Sequence, residues 1–207
     1  MIVIEGDLPM LSKNWTEKNE AHLVGQILAD NCKELDRISF NLFYGKLLDS
    51  LRQIRGYWEL CEQVEERRKQ KYDRKNPDHE KRLWTLLMPD HELIGSRSKK
   101  WQEIGFQGDD PGTDFRGMGV LALDQLLFFA QYDVASAQFL VHRVFHSFRF
   151  PMALAGITLT AMARKLLMDG YLKNHFYNTI KGPPTMDNFH HAYCEVLSSH
   201  LCNKKFY

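Results

Sequence analysis

Residues 101–130 read WQEIGFQGDDPGTDFRGMGVLALDQLLFFA, and the two parts of this stretch follow different rules. The first part, through Gly119, holds five glycines, one proline, three aspartates and a single arginine. Glycine reaches backbone angles that other residues avoid, and proline removes a hydrogen-bond donor, so this composition predicts irregular backbone at residues 105–119. The second part, residues 120–130, is apolar on nearly every face, which predicts a buried helix.

Helical spacing continues on both sides of this stretch. Upstream, apolar residues recur in steps of three and four along about seven turns, at Phe40, Phe43, Leu47, Leu51, Ile54, Trp58, Cys61 and Val64. Gly45 and Gly56 interrupt this stripe, so a kink or a break into two helices is expected there. Downstream, a second stripe repeats the spacing at Met152, Ala155, Leu159, Met162 and Leu166.

The fold class follows from these patterns. No run of the sequence alternates apolar and polar residues with β-branched enrichment, so no strand is predicted. We expect an all-α fold, a single compact multi-helix domain over residues 15–207 with one irregular Gly-rich loop at residues 105–119. Residues 1–14 show no period and are expected to form an extended or mobile lead-in.

Composition excludes several classes of function. The net charge of the 207 residues is +1, which provides no global field for binding nucleic acid. The longest nearly uncharged runs are shorter than the ~20 residues that span a bilayer, so no transmembrane segment is expected. The four cysteines form no C-x-x-C pair, which favours a reduced, cytoplasmic setting.

Metal, nucleotide and nucleophile sites are not indicated either. His142 and His146 share a helical face but lack an obvious third ligand, so ordinary histidines are favoured. A calcium loop starting at Asp110 would have phenylalanine where glycine is required and leucine where glutamate is required. The sequence contains no G-x-S-x-G elbow and no phosphate-binding G-x-x-x-x-G-K motif. We therefore expect no metal and no cofactor of its own.

Arg116 is the remaining candidate for chemistry in the Gly-rich loop. A structural role would pair it with Asp114 or Asp110, and composition alone favours that interpretation. The alternative is an arginine offered in trans to a phosphoryl-transfer site on another protein, since a guanidinium can bridge phosphate oxygens. A loop pinned by aromatic side chains would hold such an arginine at the surface.

The motif W-x-x-I-G-F-Q-G-D-D-P-x-T-D-F-R-G-M-G-x-L-x-L at residues 101–123 resembles the signature of the ELMO domain, in its ELMO-domain-containing branch. Four further segments carry the resemblance: Leu83-Trp84-x-Leu86-Leu87-Met88-Pro89, Gly156-Ile157-x-Leu159-Thr160, Pro184-Thr185-Met186 and His191-x-Tyr193-Cys194. The similarity covers about residues 35–203 and implies an all-helical fold.

The resemblance also implies a function. Members of that branch are GTPase-activating proteins for Arf and Arf-like small GTPases, and their motif arginine, which falls at Arg116 here, is required. The GTPase binds the GTP and Mg²⁺. The larger ELMO scaffold proteins lack this arginine and bind exchange factors for Rac, so the activating branch is favoured. The alternative is a non-catalytic domain that binds small GTPases or exchange-factor complexes.

These implications give each candidate residue a role. Arg116 is the catalytic finger, and Asp114 is expected to orient it. Gln107 is expected to pack within the loop, with positioning of the attacking water as the less favoured role. Loop anchoring or partner binding is assigned to Trp101, Phe106, Phe115 and Gly117. Recruitment from the cytoplasm to organelle membranes is expected to occur through the partner.

Overall fold

In the part of the chain that the computed structural model describes, all regular secondary structure is helical. This part comprises residues 16–31, 36–75, 77–144 and 151–202, and at residues 143, 144 and 199–202 only the backbone is described. The α-helices are α1 (Glu17–Asn31), α2 (Arg37–Lys69), α3 (Asp78–Leu87), α4 (Gly119–Tyr132), α5 (Val134–Phe139), α6 (Met152–Met168), α7 (Lys173–Thr179) and α8 (Met186–Cys202). Two 3₁₀ helices span Lys99–Ile104 and Pro111–Arg116, and a π-helical turn spans Leu140–Val144. The all-α prediction is confirmed.

The chain divides into two compact units. The first unit comprises Met1–Leu60 and Lys173–Thr185, and the second comprises Cys61–Leu172 and Met186–Tyr207. The single domain predicted over residues 15–207 stays a prediction, and the lead-in predicted for residues 1–14 lies outside the described residues. Within the ranges given above, no helix has both the length and the apolar character needed to cross a bilayer.

The first unit corrects one expectation about α2. The helix continues from Arg37 to Lys69, so a break at Gly45 or Gly56 is wrong, and a kink there stays a prediction. A Cβ added at Gly56 would lie 2.3 Å from the Cβ of Pro183, which explains this glycine as a point of close approach. The core of this unit contains Val24, Leu28, Leu51 and Ile54.

The second unit is built around α4. As predicted, this helix is buried on almost all sides, with Leu121, Ala122, Leu126 and Phe129 completely inaccessible to solvent. Its burial is the expected result of an apolar sequence without a polar face.

The stripe predicted for α6 is partly wrong. Met162 and Leu166 are 54% and 38% exposed, whereas Gly156 and Thr160 are buried. A Cβ at Gly156 would lie 2.4 Å from the side chain of Leu126, so the small residues rather than the large ones mark the face that meets α4.

An ion-pair cluster in the second unit joins the end of α2 to α4 and α6. Arg67 donates from Nε to Asp124 Oδ2 at 2.7 Å and from Nη2 to Oδ1 at 2.8 Å. Glu65 accepts from Arg68 Nε at 3.0 Å and from Arg164 Nε at 2.8 Å. These two arginines hold the pKa of Glu65 down at about 2, with the hydrogen bond from Arg68 as the main cause. We call these five residues the ion-pair cluster.

Candidate functional site

The segment of residues 105–119, which we call the arginine loop, is more regular than its glycine content predicted. The 3₁₀ helix Pro111–Arg116 lies inside it, and α4 begins at Gly119. Asp110 caps the 3₁₀ helix by accepting from Gly112 N at 2.9 Å, and Pro111 occupies the first helical position. An aspartate cap followed by proline is a known helix-start pattern, so the irregular loop is not confirmed in that detail.

A row of aromatic rings holds the arginine loop from beneath. Trp101 packs edge-to-face on Trp84 and on Phe106, with ring centroids 5.4 and 5.6 Å apart. Phe106 packs in the same way on Phe115 at 5.6 Å, and Phe115 packs on Tyr72 at 5.5 Å. Trp101, Phe106 and Phe115 are 0%, 4% and 1% exposed, so all three lie in the core beneath the loop and none reaches the surface.

Both ends of the arginine loop are fixed by close backbone contacts. Gly105 has φ +95°, and a Cβ there would lie 2.5 Å from Met152 N at the start of α6. Gly119 has φ +57°, and a Cβ there would lie 2.2 Å from the carbonyl oxygen of Arg68. Only glycine satisfies both the positive φ and the available space at these two positions.

Arg116 projects from the end of the 3₁₀ helix and is exposed. Its Nε donates to the carbonyl oxygen of Thr113 at 2.7 Å. In the part of the chain that the structure describes, no carboxylate lies within ion-pair distance of Arg116, so the pairing with Asp110 or Asp114 is not observed. Among the described residues, its two terminal nitrogens make no hydrogen bond or ion pair.

Asp114 contacts the loop backbone rather than the arginine. Its Oδ2 accepts from Gln107 N at 2.9 Å, and the carbonyl oxygen of Gln107 accepts from Gln102 Nε2 at 3.1 Å. The structure thus brings Asp114 to Gln107 and leaves the Gln107 side chain exposed. The orienting role of Asp114 toward Arg116, like the role of Gln107 with water, stays a prediction.

Gly117, directly after Arg116, differs from the glycines at the loop ends. It is exposed, its φ is −80°, and a Cβ there would meet no atom of the described residues within 4 Å. The fold therefore sets no demand for glycine at this position, and the partner-binding role assigned to it stays a prediction.

Asp110 is the most connected side chain of the arginine loop, and its partner is Arg74 rather than Arg116, with which composition alone would have paired it. It is 7% exposed and accepts from Arg74 Nε at 3.0 Å, with Arg97 Nη2 at 3.8 Å. Its carbonyl oxygen accepts from the Thr113 amide at 3.1 Å and from the Thr113 hydroxyl at 2.8 Å. The order Asp-Pro-Gly-Thr was the available signal, because it matches a capped helix start.

Glu80 in α3 is a second buried carboxyl, and the negative charge of Asp110 acts on it. It is 2% exposed, and its Oε1 has no hydrogen-bond partner among the residues that the structure describes. Burial, followed by the charge of Asp110, raises the pKa of Glu80 to about 7. A carboxyl in this position is partly protonated near neutral pH.

The described residues contain no group of three or more His, Cys, Asp or Glu side chains arranged to hold a metal ion. His142 Nε2 lies 3.2 Å from the carbonyl oxygen of Leu87, and His146 lies outside the described residues. The exposed arginine makes the arginine loop the candidate site.

Comparison with known families identifies the domain that contains the arginine loop. The model of the ELMO/CED-12 family matches residues 62–201. The chain belongs to the ELMO/CED-12 family. The arginine loop lies wholly inside the matched range, and the resemblance inferred from its motif is confirmed.

Curated relatives carry the same domain name. ELMO domain-containing protein 2 of Mus musculus is 47% identical over 151 residues, covering 71% of this chain and 52% of the relative. ELMO domain-containing protein 1 of Bos taurus is 40% identical over 168 residues, with the same coverage of both chains. ELMO domain-containing protein B of Dictyostelium discoideum is 35% identical over 156 residues, covering 74% and 54%.

The ELMO-family chain spans about half the length of the curated relatives it matches. No solved structure matches it.

Proposed function

We propose that this chain is a GTPase-activating protein for Arf or Arf-like small GTPases and supplies Arg116 to them in trans. The observation that carries the proposal is the exposed Arg116 guanidinium, which contacts no carboxylate of the described chain although its loop is firmly held. Membership of the ELMO/CED-12 family supports it, because Arg116 stands where the activating branch that the sequence resembles has its motif arginine.

The proposed mechanism needs no cofactor of the chain's own. The GTPase holds GTP and Mg²⁺, and Arg116 enters its site to neutralise the charge that develops on the β–γ bridging oxygen and the γ-phosphate oxygens. An arginine supplied in this way accelerates hydrolysis by about 10³- to 10⁵-fold, or about 4–7 kcal/mol of barrier.

Asp110 and Asp114 are already engaged by other groups, which keeps the guanidinium available. Asp110 accepts from Gly112 N and Arg74, and Asp114 accepts from Gln107 N. Since neither carboxylate contacts Arg116, a phosphate group does not have to displace an internal ion pair before it binds. Such preorganisation reduces the reorganisation required during the reaction.

Single-turnover GTP hydrolysis by a panel of Arf-type GTPases tests the proposal. We expect wild type to stimulate hydrolysis by at least one member, and Arg116→Ala and Arg116→Lys to lose most of the stimulation while still binding. Arg37→Ala, which removes another exposed arginine, is the matched control and should behave as wild type.

Three other outcomes would contradict the proposal. Arg116 variants that stimulate as well as wild type exclude a finger, and variants that unfold indicate a structural arginine. A wild-type chain that binds GTP-loaded GTPase without stimulating hydrolysis indicates a non-catalytic interaction domain.

A further inference from the structure

The hydrogen bond that Arg116 makes determines which part of its guanidinium remains available. Because Nε–H is bound to the Thr113 carbonyl at 2.7 Å, the two terminal nitrogens form the edge that can face a ligand. That edge offers the parallel N–H groups that bind phosphate oxygens in a bidentate manner. The Thr113 carbonyl thus sets the direction in which the arginine presents this edge.

Thr113 is itself held by two bonds to one atom. Its amide and its hydroxyl both donate to the carbonyl oxygen of Asp110, at 3.1 and 2.8 Å. A helix of six residues is unstable by itself in water, so such side-chain bonds and the cap decide whether it persists. The hydroxyl of Thr113 therefore helps to fix the carbonyl that receives Arg116.

Asp110 joins this turn to the rest of the second unit. One carboxylate oxygen accepts from Gly112 N, and the other accepts from Arg74, which lies outside the arginine loop. A hydrogen-bonded path leads from Arg74 through Asp110 and Thr113 to Arg116, with no break. Asp114, the residue expected to orient Arg116, does not lie on this path.

We infer that Thr113 and Asp110 are positioning residues for Arg116, and that the Thr113 hydroxyl is the group whose removal tests this role. The inference rests on the proposed function. Removing the hydroxyl leaves the aromatic rings beneath the loop intact, so the loop stays folded while the arginine loses its fixed direction. The loss affects the rate with the GTPase bound more than it affects binding.

Thr113→Val tests the inference because valine keeps the shape and removes the hydroxyl. We expect the hydrolysis rate at saturating activator to fall by about 3- to 10-fold, the effect of losing one neutral hydrogen bond. The activator concentration for half-maximal stimulation should not change. Thr113→Ser should restore the rate. Thr158→Val, which removes another hydroxyl bonded to a backbone carbonyl at 2.8 Å, should match wild type.

A second readout does not depend on any GTPase. Hydrogen exchange of the Arg116 Nε–H, followed by NMR on the whole chain, should quicken in Thr113→Val and stay slow in Thr113→Ser. If no GTPase responds to wild type, the proposed function fails, and this measurement still decides the inference. The inference is overturned if Thr113→Val keeps the wild-type rate and exchange, if serine gives no rescue, or if Thr158→Val is equally impaired.

Discussion

In the ion-pair cluster every arginine contacts a carboxylate, whereas Arg116 on the arginine loop bonds to a backbone carbonyl and pairs with no carboxylate among the described residues. Arg67 binds both oxygens of Asp124, and Arg68 and Arg164 share Glu65. The same unit of the molecule therefore shows how an arginine is arranged when it joins helices, and Arg116 is not arranged in that way. A guanidinium with this much unused hydrogen-bonding capacity suits a contact with another molecule.

The pKa values of the carboxyl groups also differ between the two regions. Two arginines lower the pKa of Glu65 to about 2, and burial raises the pKa of Glu80, behind the arginine loop, to about 7. One region is stabilised by its charges, and the other contains a buried acid that destabilises the fold once ionised. The predictions below test this difference, from the largest expected effect to the smallest.

Arg116→Lys should lose activity and keep its stability, whereas Arg67→Lys should lose stability and keep its activity. Arg116→Lys should lower stimulated GTP hydrolysis by about 10³-fold or more, while its unfolding free energy stays within about 0.5 kcal/mol of wild type. Arg67→Lys should lose about 1–3 kcal/mol of stability, because lysine cannot bind both oxygens of Asp124, and should keep activity while folded. Denaturant unfolding alongside single-turnover kinetics measures both. If the two variants lost activity and stability to the same extent, the two regions would not differ in the way described.

Glu80→Gln should stabilise the chain at alkaline pH. The folded pKa of about 7 lies above the usual 4.5, so the contribution of this group to stability is complete below pH 4.5 and is lost as pH rises through 7. Glutamine cannot ionise, so the variant should exceed wild type by about 1–3 kcal/mol at pH 8.5 and show no such gain at pH 5. Chemical denaturation at the two pH values is the measurement, with the exposed Glu103→Gln as control. An equal gain at both pH values would refute this account.

Glu65→Gln should show the opposite pH dependence. The folded pKa of about 2 lies below the usual 4.5, so this group stabilises the fold above pH 4.5, and the contribution is lost as pH falls through 2. With allowance for solvent screening, we expect a loss of about 1–2 kcal/mol at pH 7 that shrinks toward pH 2. Acid titration of stability measures it, and Glu62→Gln, on the exposed side of the same helix, should have little effect. A loss that persists undiminished near pH 2 would argue against the ion pairs as its source.

Gly117→Ala should have the smallest effect on folding. Because φ is −80° and the Cβ meets open space, alanine should leave stability unchanged or raise it by up to about 1 kcal/mol. If the partner approaches this backbone closely, the activator concentration for half-maximal stimulation should rise. Gly119→Ala is the contrasting variant, since its Cβ would lie 2.2 Å from the Arg68 carbonyl oxygen and should destabilise the fold. If thermal unfolding shows the same loss of stability for Gly117→Ala and Gly119→Ala, this prediction is contradicted.

The helices were largely predictable, because their apolar spacing is local. The buried character of α4 follows from a short stretch of sequence. The role of Gly56 in α2 was not predictable, since it is a close approach to Pro183 far along the chain. The exposure of Met162 has a similar origin, because Gly156 determines which face of α6 meets α4.

The candidate site was predictable in its residues but not in their connections. The motif located Arg116 and the aromatic rings. The expected link from Asp114 to Arg116 depended on nearness in sequence, and the structure shows Asp114 on Gln107 N instead. The contact between Asp110 and Arg74 spans 36 positions, and no pattern in the sequence indicates it.

The absence of a carboxylate partner for Arg116 within the described chain has a genetic consequence if the proposed function holds. A mutation at this codon would leave a protein of normal abundance that still occupies its GTPase, because no carboxylate of the described chain pairs with this guanidinium. Such an allele would compete with the wild-type product and act dominantly. A mutation of Arg67 would instead lower the amount of folded protein and behave as recessive.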